Sequence, residues 1–185
     1  RKKIYNLAIT TNGTIVPSYE LCEAFSRNKV HIYLDDYTET VPRAKENIEL
    51  IMERFKRHCI SFSVVKVDNW IDLRPLETEH YDWSEEELIN HYGSCQNPYQ
   101  ELRNKKIYSC NYASYAMKAD LNTDSPNDHY DLTLHDSKNK KELLEFRLGY
   151  TEKGYVDFCK RCSGLSININ KNFVEVAKQI TNKCR

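Results

Sequence analysis

Val30-His31-Ile32-Tyr33-Leu34 alternates apolar and polar side chains and halts at Asp35-Asp36, the pattern of a strand that runs out into a loop. Downstream, the chain from about Thr40 to His58 repeats at helical spacing. Pro42 sits in its first turn, where a missing N–H costs nothing, and Ile48, Ile51, Met52 and Phe55 share one face. Ile60-Ser61-Phe62-Ser63-Val64 then alternates again as a further strand. Upstream, Ile4 to Thr10 is a short apolar run closed by the breaker cluster Thr10-Thr11-Asn12-Gly13. Pro17-Ser18 opens a helix through Asn28 that carries Tyr19, Cys22 and Phe25. Residues 4–67 thus read strand–helix–strand–helix–strand, which calls for a parallel sheet with right-handed crossovers, an α/β fold.

Beyond Asp68 the pattern changes, and a boundary falls between residues 68 and 90. Trp70-Ile71-Asp72-Leu73-Arg74-Pro75 and the acidic segment up to Trp83 read as a connecting loop, in which Asp72 and Arg74 can pair. Ser84-Glu85-Glu86-Glu87 is a capping box ahead of a short helix ending near Gly93. Lys106-Ile107-Tyr108-Ser109 reads as a strand leading into Cys110, Asn111 to Leu121 as a helix, and Asn122 to His129 as a polar loop. Lys138 to Leu148 reads as an amphipathic helix built on Leu143, Leu144, Phe146 and Leu148. A last helix is expected from about Asn172 to Asn182, with Phe173, Val176, Ala177 and Ile180 inward. The chain accordingly divides into residues 1–75, the α/β part, and residues 76–185, a small α+β part that carries cysteines.

Lys+Arg and Asp+Glu each number 27, so charge gives no argument for a nucleic acid partner or an anionic membrane surface. No apolar run approaches the roughly 20 residues that span a bilayer, so no membrane partner is expected. The chain opens on Arg1-Lys2-Lys3 with neither Met nor a signal-peptide cleavage site. It is expected to be a piece of a longer cytoplasmic protein, where thiols stay reduced or bind metal. Seven cysteines, an odd number, also argue against a complete disulfide framework.

Four of these cysteines form two pairs. Cys95 and Cys110 make C-x14-C, and Cys159-Lys160-Arg161-Cys162 makes C-x2-C. Two cysteines three apart on a turn put both thiolates on one metal centre. A second pair from a separate hairpin completes four-fold sulfur ligation, which suits a structural zinc or an iron–sulfur cluster. C-x14-C is no zinc knuckle, so a cluster is favoured, with zinc, a disulfide or empty thiols expected after handling in air. Lys160 and Arg161, between two ligands, would offset a cluster's negative charge. Cys22, Cys59 and Cys184 carry no motif and read as structural, since a buried free cysteine behaves as a small hydrophobe.

Ile9-Thr10-Thr11-Asn12-Gly13-Thr14, followed by Val30-His31-Ile32-Tyr33-Leu34-Asp35, resembles the fourth and fifth strands of the partial barrel of radical S-adenosylmethionine (radical SAM) enzymes. Cys95-x9-Lys105-x4-Cys110 followed by Cys159-x2-Cys162 resembles the twitch or SPASM extension of that family, so the likeness runs from about Leu7 to Gly164. Lys105 stands where the family pattern has a glycine, and Asn104 before it is expected to absorb the positive φ. The resemblance implies half of a parallel (β/α) barrel followed by a twitch/SPASM-like domain. That domain would bind one auxiliary 4Fe-4S cluster through Cys95, Cys110, Cys159 and Cys162. The parent enzyme would use S-adenosylmethionine in a radical modification of its substrate.

The resemblance also implies that Asn12, Gly13 and Asp35, at or just beyond the carboxyl ends of strands, face an S-adenosylmethionine pocket. Taken alone, Asn-Gly is a common turn and an Asp after a strand is a cap. The family's C-x3-C-x2-C occurs nowhere in the 185 residues, so this chain is not expected to cleave S-adenosylmethionine. Its expected partner is the missing N-terminal half of the parent. An exposed sheet edge at Ile4 to Thr10 would also favour self-association. From another class, the alternative is a non-catalytic zinc-binding structural or interaction module. His58, His80 and His91 read as surface or helix-end residues, and Trp70, Trp83 and the thirteen tyrosines as packing.

Overall fold

Ile32 and Leu34 are buried while Tyr33 between them is 39% exposed, so the alternation around residue 32 belongs to a strand with one covered face. A computed structural model describes residues 4–95, 97, 99–136, 138–149 and 153–177. The chain forms two compact units, divided after Trp70, with the described residues from Val174 onward belonging to the first. Among the described residues no helix is long and apolar enough to cross a membrane.

In the first unit, β1 (Ala8–Thr11), β2 (His31–Asp36) and β3 (Phe62–Lys66) form a parallel sheet in the order β1-β2-β3. Ile9 pairs with Ile32, and Ile32 with Phe62, so these three share a face. The crossovers are α1 (Tyr19–Arg27) and α2 (Lys45–Arg57), the latter preceded by a 3-10 turn at Pro42–Ala44. Cys22 from α1 and Ile48, Ile51 and Phe55 from α2 pack with Val30, Ile32, Leu34 and Ile60 into one core. Cys22 is therefore the structural cysteine the sequence suggests. The opposite face carries His31, whose ring nitrogens meet Ser61 Oγ at 2.8 Å and Ser63 Oγ at 3.1 Å. The mixed α/β class with a three-stranded parallel sheet is thus present.

Ser18 caps α1 by accepting from Leu21 N at 3.2 Å, as the Pro-Ser opening suggests. Both crossover helices end in a Schellman motif. After α1, Lys29 N donates to Ser26 O and Val30 N to Phe25 O; after α2, Cys59 N donates to Lys56 O and Ile60 N to Phe55 O. Lys29 (φ 50°) and Cys59 (φ 52°) occupy the left-handed position that glycine usually takes. Cys59 is exposed, so the expectation of a buried structural cysteine there is corrected: the residue serves a backbone turn.

The second unit opens near β4 (Asn69–Ile71), which falls inside the expected connecting loop, and continues with α3 (Glu85–Ser94). The capping box is complete: Ser84 Oγ accepts from Glu87 N, and Glu87 Oε2 accepts from Ser84 N at 2.8 Å. Next come β5 (Glu101–Arg103), β6 (Lys106–Tyr108), α4 (Asn111–Lys118), β7 (His129–Asp131) and α5 (Lys140–Arg147); β8 (Phe173–Glu175) starts at the unit's last residue and belongs mostly to the first unit, as β4 does. β5, β6 and β7 form an antiparallel sheet in that order, and β4 pairs with β8.

Several expectations are corrected here. The β5–β6 loop needs two successive positive φ angles, as two-residue hairpins of this kind do. Asn104 takes 49° and Lys105 takes 62°, so Asn104 does not absorb the strain alone. Residues 129–131 are a strand and not the end of a loop. The helix expected from Asn172 is a strand over Phe173–Glu175, and Ala177 at φ 54° is incompatible with a helix there; residues 178–182 of that expectation, and Cys184, lie outside the described residues. On α5, Phe146 is buried, whereas Leu144 (60%) and Leu148 (68%) are exposed and do not form the expected inner face. Arg74 bonds Glu77 with its guanidinium and meets Asp72 only through its backbone N–H.

An L-residue in the left-handed region costs about 1–2 kcal/mol, of which glycine's extra unfolded-state entropy returns about half. Cys59→Gly is therefore expected to raise unfolding stability by about 0.5–1 kcal/mol. Urea unfolding followed by circular dichroism checks this as a higher midpoint at unchanged slope.

Candidate metal centre

Three of the four paired cysteines sit where an element begins or ends, and the fourth lies in a short 3-10 helix. Cys95 closes α3, with its N–H donating to His91 O (3.0 Å) and Tyr92 O (3.1 Å). Cys110 follows β6 and occupies the N-cap of α4. Cys159 lies within a 3-10 helix, Asp157–Arg161, and Cys162 ends it. These three junctions surround one cavity of about 960 Å³, and all four cysteines line it.

The sulfurs meet N–H donors. Leu165 N lies 3.4 Å from Cys95 Sγ, Asn97 Nδ2 3.3 Å from Cys110 Sγ, and Gly164 N 3.3 Å from Cys162 Sγ. Asn97 is held in place by a further bond to Asn111 Oδ1 at 3.0 Å. Gly164 takes φ 84°, and a Cβ there would collide with Ile169 and press on His91. Its backbone is thus free to approach the sulfur only as glycine.

Burial decides the protonation of these thiols. It pushes Cys162 up to about 12, against a lowering bond from the Gly164 backbone, and charges on Cys110 and Cys95 push the same way. Cys159 is raised further, first by burial and then by Cys162, Cys110 and Cys95, against a backbone bond at Val156. Burial also raises Cys110, opposed by the amides of Ala113 and Tyr112 at the start of α4 and by Asn97. All four sulfurs therefore lie within electrostatic reach of one another, and the buried thiols stay neutral at ordinary pH. A metal would replace those protons, since thiolate is the ligating form.

The four thiols come from three segments of the chain and line one space, and three of them meet N–H donors suited to thiolate charge. They line its wall; among the described residues no three His, Cys, Asp or Glu side chains are placed to hold a single metal ion. A mononuclear zinc would require the sulfurs to draw in to about 2.3 Å from one centre.

The cation expectation is corrected. Lys160 and Arg161 do not line the thiol cavity. Arg161 donates to Leu121 O at 2.9 Å, Lys160 lies 3.9 Å from Asp157, and both line a separate depression with Tyr81 and Asp120. The cavity wall instead carries Arg147 and His91. His91 lies in the last turn of α3, as expected of a helix-end residue, and its Nε2 is 2.9 Å from Cys162 O, which can only accept, so that nitrogen carries the proton. Burial lowers its pKa. His80 stacks on Trp83 at 3.6 Å between ring centres, and both rings flank His91.

In the first unit, Asn12, Gly13 and Asp35 have local partners. Asn12 Oδ1 accepts from Thr14 N and Oγ1, Gly13 holds φ 66° against Ile48 and Leu34, and Asp35 Oδ2 accepts from Tyr37 OH at 3.1 Å. Asn12 and Asp35 do stand at the same end of the sheet, since Thr11 pairs with Leu34.

Asp128 was missed altogether, hidden in what reads as a polar loop. It is fully buried, and both carboxylate oxygens accept from Asp157 N (3.1 and 3.2 Å), the first residue of the turn that carries Cys159. Nothing in Pro126-Asn127-Asp128 signals this, because its partner is 29 residues away.

Compared with known proteins, the chain matches no family model and no curated sequence.

Burial raises Asp128 to about 6, against the bond from Asp157 N and the charge of Lys153, with Asp157 and Asp124 pushing up. A carboxyl whose pKa is higher folded than unfolded stabilises the fold fully below the unfolded value and loses that contribution as pH rises through the folded one. Stability relative to Asp128→Asn is therefore expected to fall by roughly 2 kcal/mol between about pH 4 and pH 6.5. Paired urea titrations across that range check it.

Proposed function

We propose that the second unit is the auxiliary-cluster domain of a radical SAM-type enzyme, binding one 4Fe-4S cluster through Cys95, Cys110, Cys159 and Cys162. The observation that carries this reading is the meeting of these four thiols around one cavity, with N–H donors on three of the sulfurs. Donors of this kind stabilise thiolate charge around a cluster and set its potential. No Asp or Glu is among the described residues that line the cavity, which suits a group of net negative charge.

When bound, the cluster would supply a one-electron centre or an iron site for substrate. The chain's own residues do the rest. Leu165, Asn97 and Gly164 hold the thiolates, and Asp128 fixes the turn that presents Cys159 and Cys162. His91 Nε2–H ties α3 to the Cys162 carbonyl. The assignment of the first unit to a radical SAM half-barrel, with Asn12, Gly13 and Asp35 toward S-adenosylmethionine, rests on the resemblance of its strands. A sheet covered on one face and open at β1 is compatible with it, and that edge is the proposed surface for self-association or for the rest of the parent enzyme.

Anaerobic reconstitution with iron and sulfide is expected to give about four of each per chain, with a brown chromophore. Cys159→Ala with Cys162→Ala should abolish both. One zinc per chain, bound in preference to iron and without colour, would replace this reading with a structural zinc module.

A further inference from the structure

The cavity is much larger than a cluster needs. A four-iron cube is only a few ångströms across, whereas the space of about 960 Å³ is at the upper end of sites that enclose organic ligands. Away from the thiols, the wall carries a guanidinium. Arg147 lies in the last turn of α5, which the buried Phe146 anchors. Gln100 braces it on both sides: its Oε1 accepts from Arg147 Nε at 3.4 Å, and its Nε2 donates to Arg147 O at 2.8 Å. Among the described residues Arg147 has no carboxylate partner, and none lines the cavity. Tyr99 (60% exposed) and Leu148 (68% exposed) line the same cavity and offer it apolar surface.

We infer that this part of the cavity takes the carboxylate of a small organic acid on Arg147, with its apolar body against Tyr99 and Leu148. A guanidinium fixed through Nε keeps its two terminal nitrogens in the fork that grips a carboxylate. The inference deepens the cluster reading, on which it relies for placing this acid beside the four sulfurs as substrate.

The test is a nitrogen–proton NMR titration of the full chain, both as isolated and after iron reconstitution, with N-acetylleucine, N-acetylleucinamide and inorganic phosphate. N-acetylleucine is expected to shift Tyr99, Gln100 and Leu148 saturably. The neutral amide should bind at least ten-fold more weakly, as should N-acetylleucine to Arg147→Gln. That variant should still take up iron as the wild type does. Equal binding of the amide, or no loss in Arg147→Gln, would overturn the inference, and phosphate binding as tightly as N-acetylleucine would overturn the carboxylate class. Iron uptake without anion binding would sink this inference and leave the cluster reading standing. Carboxylate binding to a chain that takes up no iron would support the anion site and remove the cluster beside it.

Discussion

Four thiols that must share one cavity set the terms for the second unit. Burying a thiol favours its neutral form, and grouping four around one cavity adds mutual repulsion once any of them ionises. The chain meets that constraint by aiming N–H donors at three of the sulfurs, Leu165 N at Cys95, Asn97 Nδ2 at Cys110 and Gly164 N at Cys162. Cys110 stands at the start of α4, Cys95 at the end of α3, and Cys162 beside the left-handed Gly164. The same junctions depend on partners far away in sequence: Asp128 holds Asp157, His91 holds Cys162, and Asn97 reaches both Cys110 and Asn111. A change to one of these partners would move a sulfur without touching it.

The first unit has a different problem. A parallel sheet is ordinarily covered on both faces, because its crossovers lay helices over it. Here α1 and α2 contribute to a single core with Ile32 and Leu34, while Tyr33 on the other face remains partly exposed and His31 there is engaged by serines. Hydroxyl and imidazole groups on that face suit a surface that meets polar groups, whereas a second apolar core would call for aliphatic side chains.

How much of this the sequence disclosed depended on the range of the interaction. Alternation at Val30–Leu34 and the apolar face Ile48, Ile51, Phe55 are local signals, and the strand–helix–strand–helix–strand order followed from them. Ser18 and Ser84 announced two helix starts because a cap is complete within three residues. The three-residue strands β4, β7 and β8 gave no such signal, since they are too short for a period and exist only through their pairing. The expected helix at Asn172 illustrates the error: Phe173, Val176 and Ala177 fit helical spacing, yet Phe173–Glu175 pairs with β4 as a strand. That Cys95, Cys110, Cys159 and Cys162 would come together was readable from their spacing. The carboxylate of Asp128, the donors on the sulfurs and the replacement of Lys160 and Arg161 by Arg147 were not, because each depends on residues brought together by the fold.

X-ray absorption at the iron edge of the anaerobically reconstituted chain tests the central claim most directly. The account predicts a first shell of sulfur alone together with a short iron–iron vector, both lost when any one of the four cysteines is replaced by alanine. Nitrogen or oxygen ligands without an iron–iron vector, or a spectrum unchanged on replacing Cys95 or Cys110, would contradict a cluster held by all four sulfurs.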